Sequence, residues 1–249
     1  MIGLGIGNGM ASFGSGYTPM DLKEATAGGI PAPANNLGLW LKNNTGVTAA
    51  KWTDSSGNNN HALQATEGSR ATVSGGGLDF ERSESDHYDL TSTITIAQNQ
   101  GFCMAIVMDQ ESVSNNTILS KDADDQIQVV DLNRFRIKTN DDTVTTTNFD
   151  IAGAFNTGKM LVLINRSAGA TNKFTIMKNG ATLTPDTDTS ANEAAGENPF
   201  GFDINVLGTR GDEAQFFDGK ILELAFWDRA LTLQEITDVN SYLQSIHGL

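Results

Sequence analysis

From Leu37 onward, short apolar runs alternate with Gly-, Asn- and Asp-rich turns, and only the C-terminal segment carries a strong helical period. That alternation constrains the chain to strands. The runs are Leu37–Leu41, Gly77–Phe80, Tyr88–Ile96, Phe102–Met108, Thr117–Ser120, Ile127–Val130, Phe135–Lys138, Met160–Ile164, Lys173–Lys178, Ala181–Leu183, Phe202–Leu207 and Lys220–Trp227. Asn179-Gly180 between two of them signals a tight hairpin, because both turn residues must take positive φ. At the end, Thr232-Leu233-Gln234-Glu235 reads as a capping box, and Ile236, Val239, Leu243 and Ile246 recur at helical spacing before Gly248. Many strands and one terminal helix predict an all-β, two-sheet antiparallel sandwich with the helix docked on it.

Residues 1–36 read differently. Gly3, Gly5, Gly7, Gly9, Gly14 and Gly16 crowd the start, and Pro31 and Pro33 close it, around a short helical stretch at Thr18–Ala27. Such a segment orders only when something holds it, so it is expected to be an arm or linker, with 37–249 as the folded body. The alternating glycines are no phosphate loop: no strand precedes them and no Gly-Lys-Ser/Thr follows.

Charge narrows the partners. Asp and Glu number 30 against 16 Lys and Arg, a net charge of −14. Nucleic acid and anionic membrane surfaces require a basic face, so neither is expected as a partner. One cysteine excludes an intrachain disulfide, and Cys103, inside Phe102–Met108, reads as a buried small hydrophobe. No apolar run is long enough to span a bilayer, and no secretory signal is legible at the start.

Three segments, in order, resemble the laminin-G-like, concanavalin-A-like jelly-roll family. They are Trp52-Thr53-Asp54-Ser55-Ser56-Gly57-Asn58-Asn59-Asn60-His61-Ala62 with the strand Gly75–Phe80, then Lys159–Gly180, then Phe217–Thr232 followed by Glu235-Ile236. The departures are Ala62 for a glycine, Gly158-Lys159 for an aromatic-His pair, and Trp227 for a tyrosine. The resemblance implies a jelly roll and a structural calcium at its rim, for which Asp54, Asn59 and Glu223 are the candidate ligands; no other cofactor is implied. Asp54 has a second reading, as the acceptor of an Asx turn. The opening Met1–Gly9 resembles that of structural proteins of marine bacteriophages, which implies a virion protein assembled in the host cytoplasm.

Chemistry is sparse. The three histidines, His61, His87 and His247, lack metal-site spacing, and no Gly-x-Ser-x-Gly elbow occurs. Asp79, Glu81 and Glu84 are the nearest approach to a glycosidase carboxylate pair, but Glu84 reads as a loop residue. Asp186–Asn192 with Glu197 mimics a calcium loop yet has Ala191 where a sharp turn needs Gly, and reads as solvated. Trp40, Trp52 and Trp227 read as core residues, whereas Tyr88 and Phe216 are more open to a ligand.

The resulting expectation is a non-catalytic bacteriophage virion protein. Its leading form is an oligomeric capsid decoration protein whose arm, Ile2, Gly3, Leu4, Gly5, Ile6 and Gly7, attaches to the major capsid or tail protein. The alternatives are a tail or fibre adhesin that binds host-surface glycan and, third, a glycoside hydrolase.

Overall fold

The structure, a computed structural model, describes residues 35–140, 144–169, 174–185, 187–188 and 200–249. The proposed arm residues Ile2–Gly7, the Thr18–Ala27 stretch and most of the Asp186–Asn192 segment therefore lie outside the described residues.

In chain order the strands are β1 (Leu37–Leu41), β2 (Val47–Thr48), β3 (Lys51–Trp52), β4 (Ala62–Leu63), β5 (Thr72–Ser74), β6 (Gly77–Phe80), β7 (Tyr88–Ile96), β8 (Phe102–Gln110) and β9 (Asn116–Ser120). They continue with β10 (Gln126–Asp131), β11 (Arg134–Asn140), β12 (Val144–Asp150), β13 (Gly158–Arg166), β14 (Phe174–Lys178), β15 (Ala181–Thr182), β16 (Thr187–Asp188), β17 (Phe202–Leu207) and β18 (Gly219–Trp227). The helix α1 (Leu233–His247) follows.

All strand pairs are antiparallel and form two sheets. One has eight strands in the order β15-β14-β13-β8-β18-β6-β5, with β1 also on β18. The other has ten, in the order β16-β12-β11-β10-β9-β17-β7-β4-β3-β2. The long β18 takes β8 on one side and, on the other, β6 along Gly219–Ile221 and β1 along Leu224–Trp227. The alternation read from the sequence is thus a two-sheet sandwich.

The period-two rule explains the two faces. In β8, Phe102, Met104, Ile106 and Met108 enter the core between the sheets, while Cys103, Ala105 and Val107 point the other way. In β13, Met160, Val162 and Ile164 alternate with Leu161 and Leu163 in the same manner. These strands are continuously apolar because α1 covers the outer face of the eight-stranded sheet, so both faces are dry. Cys103 is a free thiol in that second layer, and burial pushes its pKa well up, which makes it inert.

The helix is nucleated as its sequence demands. Thr232 accepts from the Glu235 amide, the Glu235 carboxylate accepts from the Thr232 amide, and Gly248 closes the helix in the left-handed region at φ 66°. Its buried face is Ile236, Val239, Asn240, Leu243 and His247. The expected last member, Ile246, is 54% exposed, and His247 takes its place. The i+4 step from Leu243 lands on 247, so the helical period itself selects the histidine.

Other expectations change. Tyr88 is fully buried, with its hydroxyl donating to the Ala49 carbonyl at 2.8 Å, and has no ligand role. Trp40, Trp52 and Trp227 are core residues, as read. The two-residue strands β2, β3 and β4, the short β5 and β16, and the Thr-rich β12 were not legible as strands, because they carry few of the apolar residues that make a period visible. Among the described residues no helix is long and apolar enough to cross a membrane.

Candidate functional site

The Asp54–His61 turn is a clasp on β1. Asp54 Oδ1 accepts from the amides of Trp40 at 2.9 Å and Ser56 at 2.8 Å, and Oδ2 from the Asn60 amide at 2.9 Å and the Ser56 hydroxyl at 2.7 Å. Asn58 and Asn60 donate their side-chain amides to the carbonyls of Leu37 and Gly38, at 2.6 and 2.8 Å. Asn59 supplies the left-handed residue of the turn, at φ 62°. This is the Asx-turn reading, extended to hold a neighbouring strand.

Glu223 lies elsewhere in the network. A β-bulge between Ile221 and Glu223 puts Leu222 and Glu223 together on the face beneath α1. There Glu223 is 1% exposed. Its Oε1 accepts from Trp40 Nε1 at 2.8 Å and its Oε2 meets His247 Nε2 at 2.8 Å. Burial first, and the Glu223 carboxylate second, push the Tyr242 hydroxyl up to about 12. Trp40 links Asp54, at its backbone amide, to Glu223, at its ring nitrogen. Their oxygens face protein donors, and among the described residues no group of three or more His, Cys, Asp or Glu could hold a metal. Asp54, Asn59 and Glu223 as arranged do not fit a calcium ion, and no step below depends on one.

The glycosidase candidates form an acidic corner on the eight-stranded sheet. Lys220 Nζ lies 3.4 Å from Asp79 and 3.2 Å from Glu111. The Glu81 pKa is raised, by burial first and then by Glu111, Asp79, Asp218 and Glu84. That is the direction a general acid requires, so turnover has to be tested rather than assumed absent.

The ten-stranded sheet presents the contrasting surface. Its inner residues, such as Ile127, Val129, Phe135, Ile137 and Phe149, fill the core. Register then places Gln126 and Gln128 of β10, Arg134, Arg136 and Lys138 of β11, and Asn148 and Asp150 of β12 on the outer face. Arg134 grips Asp150 through two bonds of 2.5 and 2.9 Å, and Lys138 holds Asp124 at 2.9 Å. On β17, beyond β9 in the same sheet, Asp203 pairs with Lys121 at 2.8 Å. Burial works to raise the Asp203 pKa, but the bonds from Lys121 and Thr95 outweigh it and leave it lowered.

Between these pairs runs a line of amides. Gln215, from the loop after β17, accepts from Gln128 Nε2 at 3.3 Å, Gln128 Oε1 lies 3.5 Å from Arg136 Nη1, and Arg136 Nε donates to Asn148 Oδ1 at 2.9 Å. No carboxylate bonds Arg136 among the described residues. Sequence reading missed this line, although Arg134-x-Arg136-x-Lys138 in an acidic chain is a visible period-two signal of a cationic strand face.

Residues 82–237 match the family described as the concanavalin A-like lectin/glucanases superfamily. No curated protein matches the chain significantly by sequence. Solved structures with the same fold include the binding domain of Paraclostridial Mosquitocidal Protein 1, at 15% identity and TM-score 0.57, over 83% of this chain and 52% of that one. Trypanosoma rangeli sialidase in complex with the inhibitor DANA aligns at 14% identity and TM-score 0.52, over 87% of this chain and 34% of that one. The botulinum neurotoxin serotype D/C binding domain aligns at 15% identity and TM-score 0.50, over 84% and 52%. The chain thus spans about half of the two toxin binding domains and about a third of the sialidase. With its two antiparallel sheets, its closing strand and its terminal helix, the chain belongs to the concanavalin A-like lectin/glucanase superfamily.

Proposed function

We propose that this protein is a non-catalytic glycan-binding module that holds its ligand on the outer face of the ten-stranded sheet. One observation carries the reading: α1 packs over β8 and β13 on the outer face of the eight-stranded sheet, whereas no described helix covers the corresponding face of the ten-stranded sheet, where Arg136, Asn148 and Gln215 are partly exposed around the buried Gln128. Such groups match the hydroxyl donors and acceptors of a saccharide. The carboxylates named on this face, Asp124, Asp150 and Asp203, are each paired with a cation, which suits binding more than acid–base work. Two of the proteins with this fold carry the words "binding domain" in their descriptions, in keeping with the reading.

A glycan array probed with the intact chain tests it. Binding above background that falls with Asn148→Ala is expected; a blank array with folded protein overturns it. A polysaccharide panel tests the absence of turnover: product that forms with the natural sequence and vanishes with Glu81→Gln would make the chain a hydrolase instead. The virion setting, as capsid decoration protein or tail adhesin in a homo-oligomer, remains a proposal that rests on the residues 1–9 sequence. Mass spectrometry of purified virions decides it.

A further inference from the structure

The outer-face line of amides has a gap in its charge balance at Arg136. Three cations follow one another at alternate positions of β11, and the outer two, Arg134 and Lys138, are bonded to Asp150 and Asp124. Arg136 is half-buried between them, and its one short bond goes to a neutral amide, Asn148. Three other arginines donate to backbone carbonyls. Arg70 donates to the Gln64 and Ala65 carbonyls, Arg82 to the Phe216 carbonyl and Asn116, and the buried Arg166 to the Phe200 and Gln100 carbonyls. Those three cross-link the fold. Arg136 has five N–H donors, of which Nε and Nη1 are engaged by the side-chain amides of Asn148 and Gln128.

We propose that Arg136 is the specificity residue of the glycan site and takes the carboxylate of an acidic saccharide residue. The inference rests on the glycan-binding reading of this face and names its ligand class. A planar fork of N–H donors matches a carboxylate in two parallel bonds, and charge assistance strengthens both. Burial first, and repulsion from Arg134 second, lower the Arg136 pKa against the pull of Asp131 and Asp150, and an arriving anion counters the repulsion. Asn148 beside the guanidinium and Gln215, joined to it through the buried Gln128, are partly exposed and supply amide partners for neighbouring hydroxyls.

Calorimetric titration of the intact chain with two matched pairs tests the proposal: tetragalacturonate against its methyl ester, and 3′-sialyllactose against lactose. At least one acidic member should bind tenfold or more tighter than its neutral counterpart. Arg136→Gln should abolish that difference, while Lys51→Gln, which removes a distant cation, should preserve it. Arg136→Lys keeps the charge without the fork and should recover only part of the preference; it also serves if Arg136→Gln lowers the thermal midpoint. Equal affinity for acidic and neutral members, an unchanged preference in Arg136→Gln, or an equal loss in Lys51→Gln overturns the proposal. Binding of neutral sugars alone overturns it while leaving the glycan-binding reading intact, whereas silence on the whole array removes both.

Discussion

At the scale of single residues, Asp54 and Arg136 show two opposite uses of a charged group. Asp54 faces four protein donors and organises a turn around β1. Asp54→Ala would leave the buried Trp40 and Asn60 amides without an acceptor, and an expected loss of about 2–4 kcal/mol should appear in urea unfolding. Because its oxygens are engaged by protein, EDTA should leave the thermal midpoint of the natural sequence unchanged; a clear drop would restore the calcium reading. Gly77 shows how closely backbones approach in the eight-stranded sheet: a Cβ there would stand 2.1 Å from the Ile221 carbonyl oxygen. Gly77→Ala should therefore destabilise the body by about 2 kcal/mol or more, because the obstructing atom is backbone and cannot rotate away. The Asx role of Asp54 was legible in its spacing to Ser56 and Asn60. The environment of Glu223 was not, because it depends on a bulge that shifts parity by one residue and on a helix end that arrives from His247.

At the scale of elements, α1 decides which sheet face stays available. Its residues Ile236, Val239 and Leu243 cover Cys103, Val107, Leu161 and Trp227, so Leu243→Ala should cost about 2–4 kcal/mol. The capping box makes the start of the helix acid-sensitive. The Arg229 guanidinium first, and then the Thr232 amide, overcome burial and hold Glu235 at about 2, well below its ordinary 4.5. A depressed carboxylate contributes stability above its unfolded value and loses it as pH falls through the folded one. Unfolding midpoints of the natural sequence should thus decline between pH 4.5 and about 2 by more than those of Glu235→Gln, which has no such group to protonate. The long strands β7, β8, β13, β17 and β18 were legible because each buries a face, or both, over several residues. β12 was not: among its described side chains Thr147 and Phe149 are the buried ones, and its polar outer residues look like loop. That same polarity is what makes its face a candidate site.

At the scale of the whole molecule, the described residues of an acidic chain with one cysteine fold as a sandwich with a C-terminal helix and two unlike outer faces. The central strands β8 and β13 of the eight-stranded sheet are buried on both faces, and the ten-stranded sheet carries partly exposed amides and cations on its outer face. The fold was legible from patterning and from three ordered motifs; the site was not, because sequence marks turn and rim residues whereas the candidate surface is assembled from β10, β11, β12 and a distant loop. Backbone amide NMR with an acidic oligosaccharide found to bind tests the central claim most directly. The account predicts shifts confined to Gln126–Asp131, Arg134–Lys138, Thr146–Asp150 and the loop around Gln215. Shifts concentrated instead at the Asp54–His61 turn or along α1, with that sheet face silent, would contradict it.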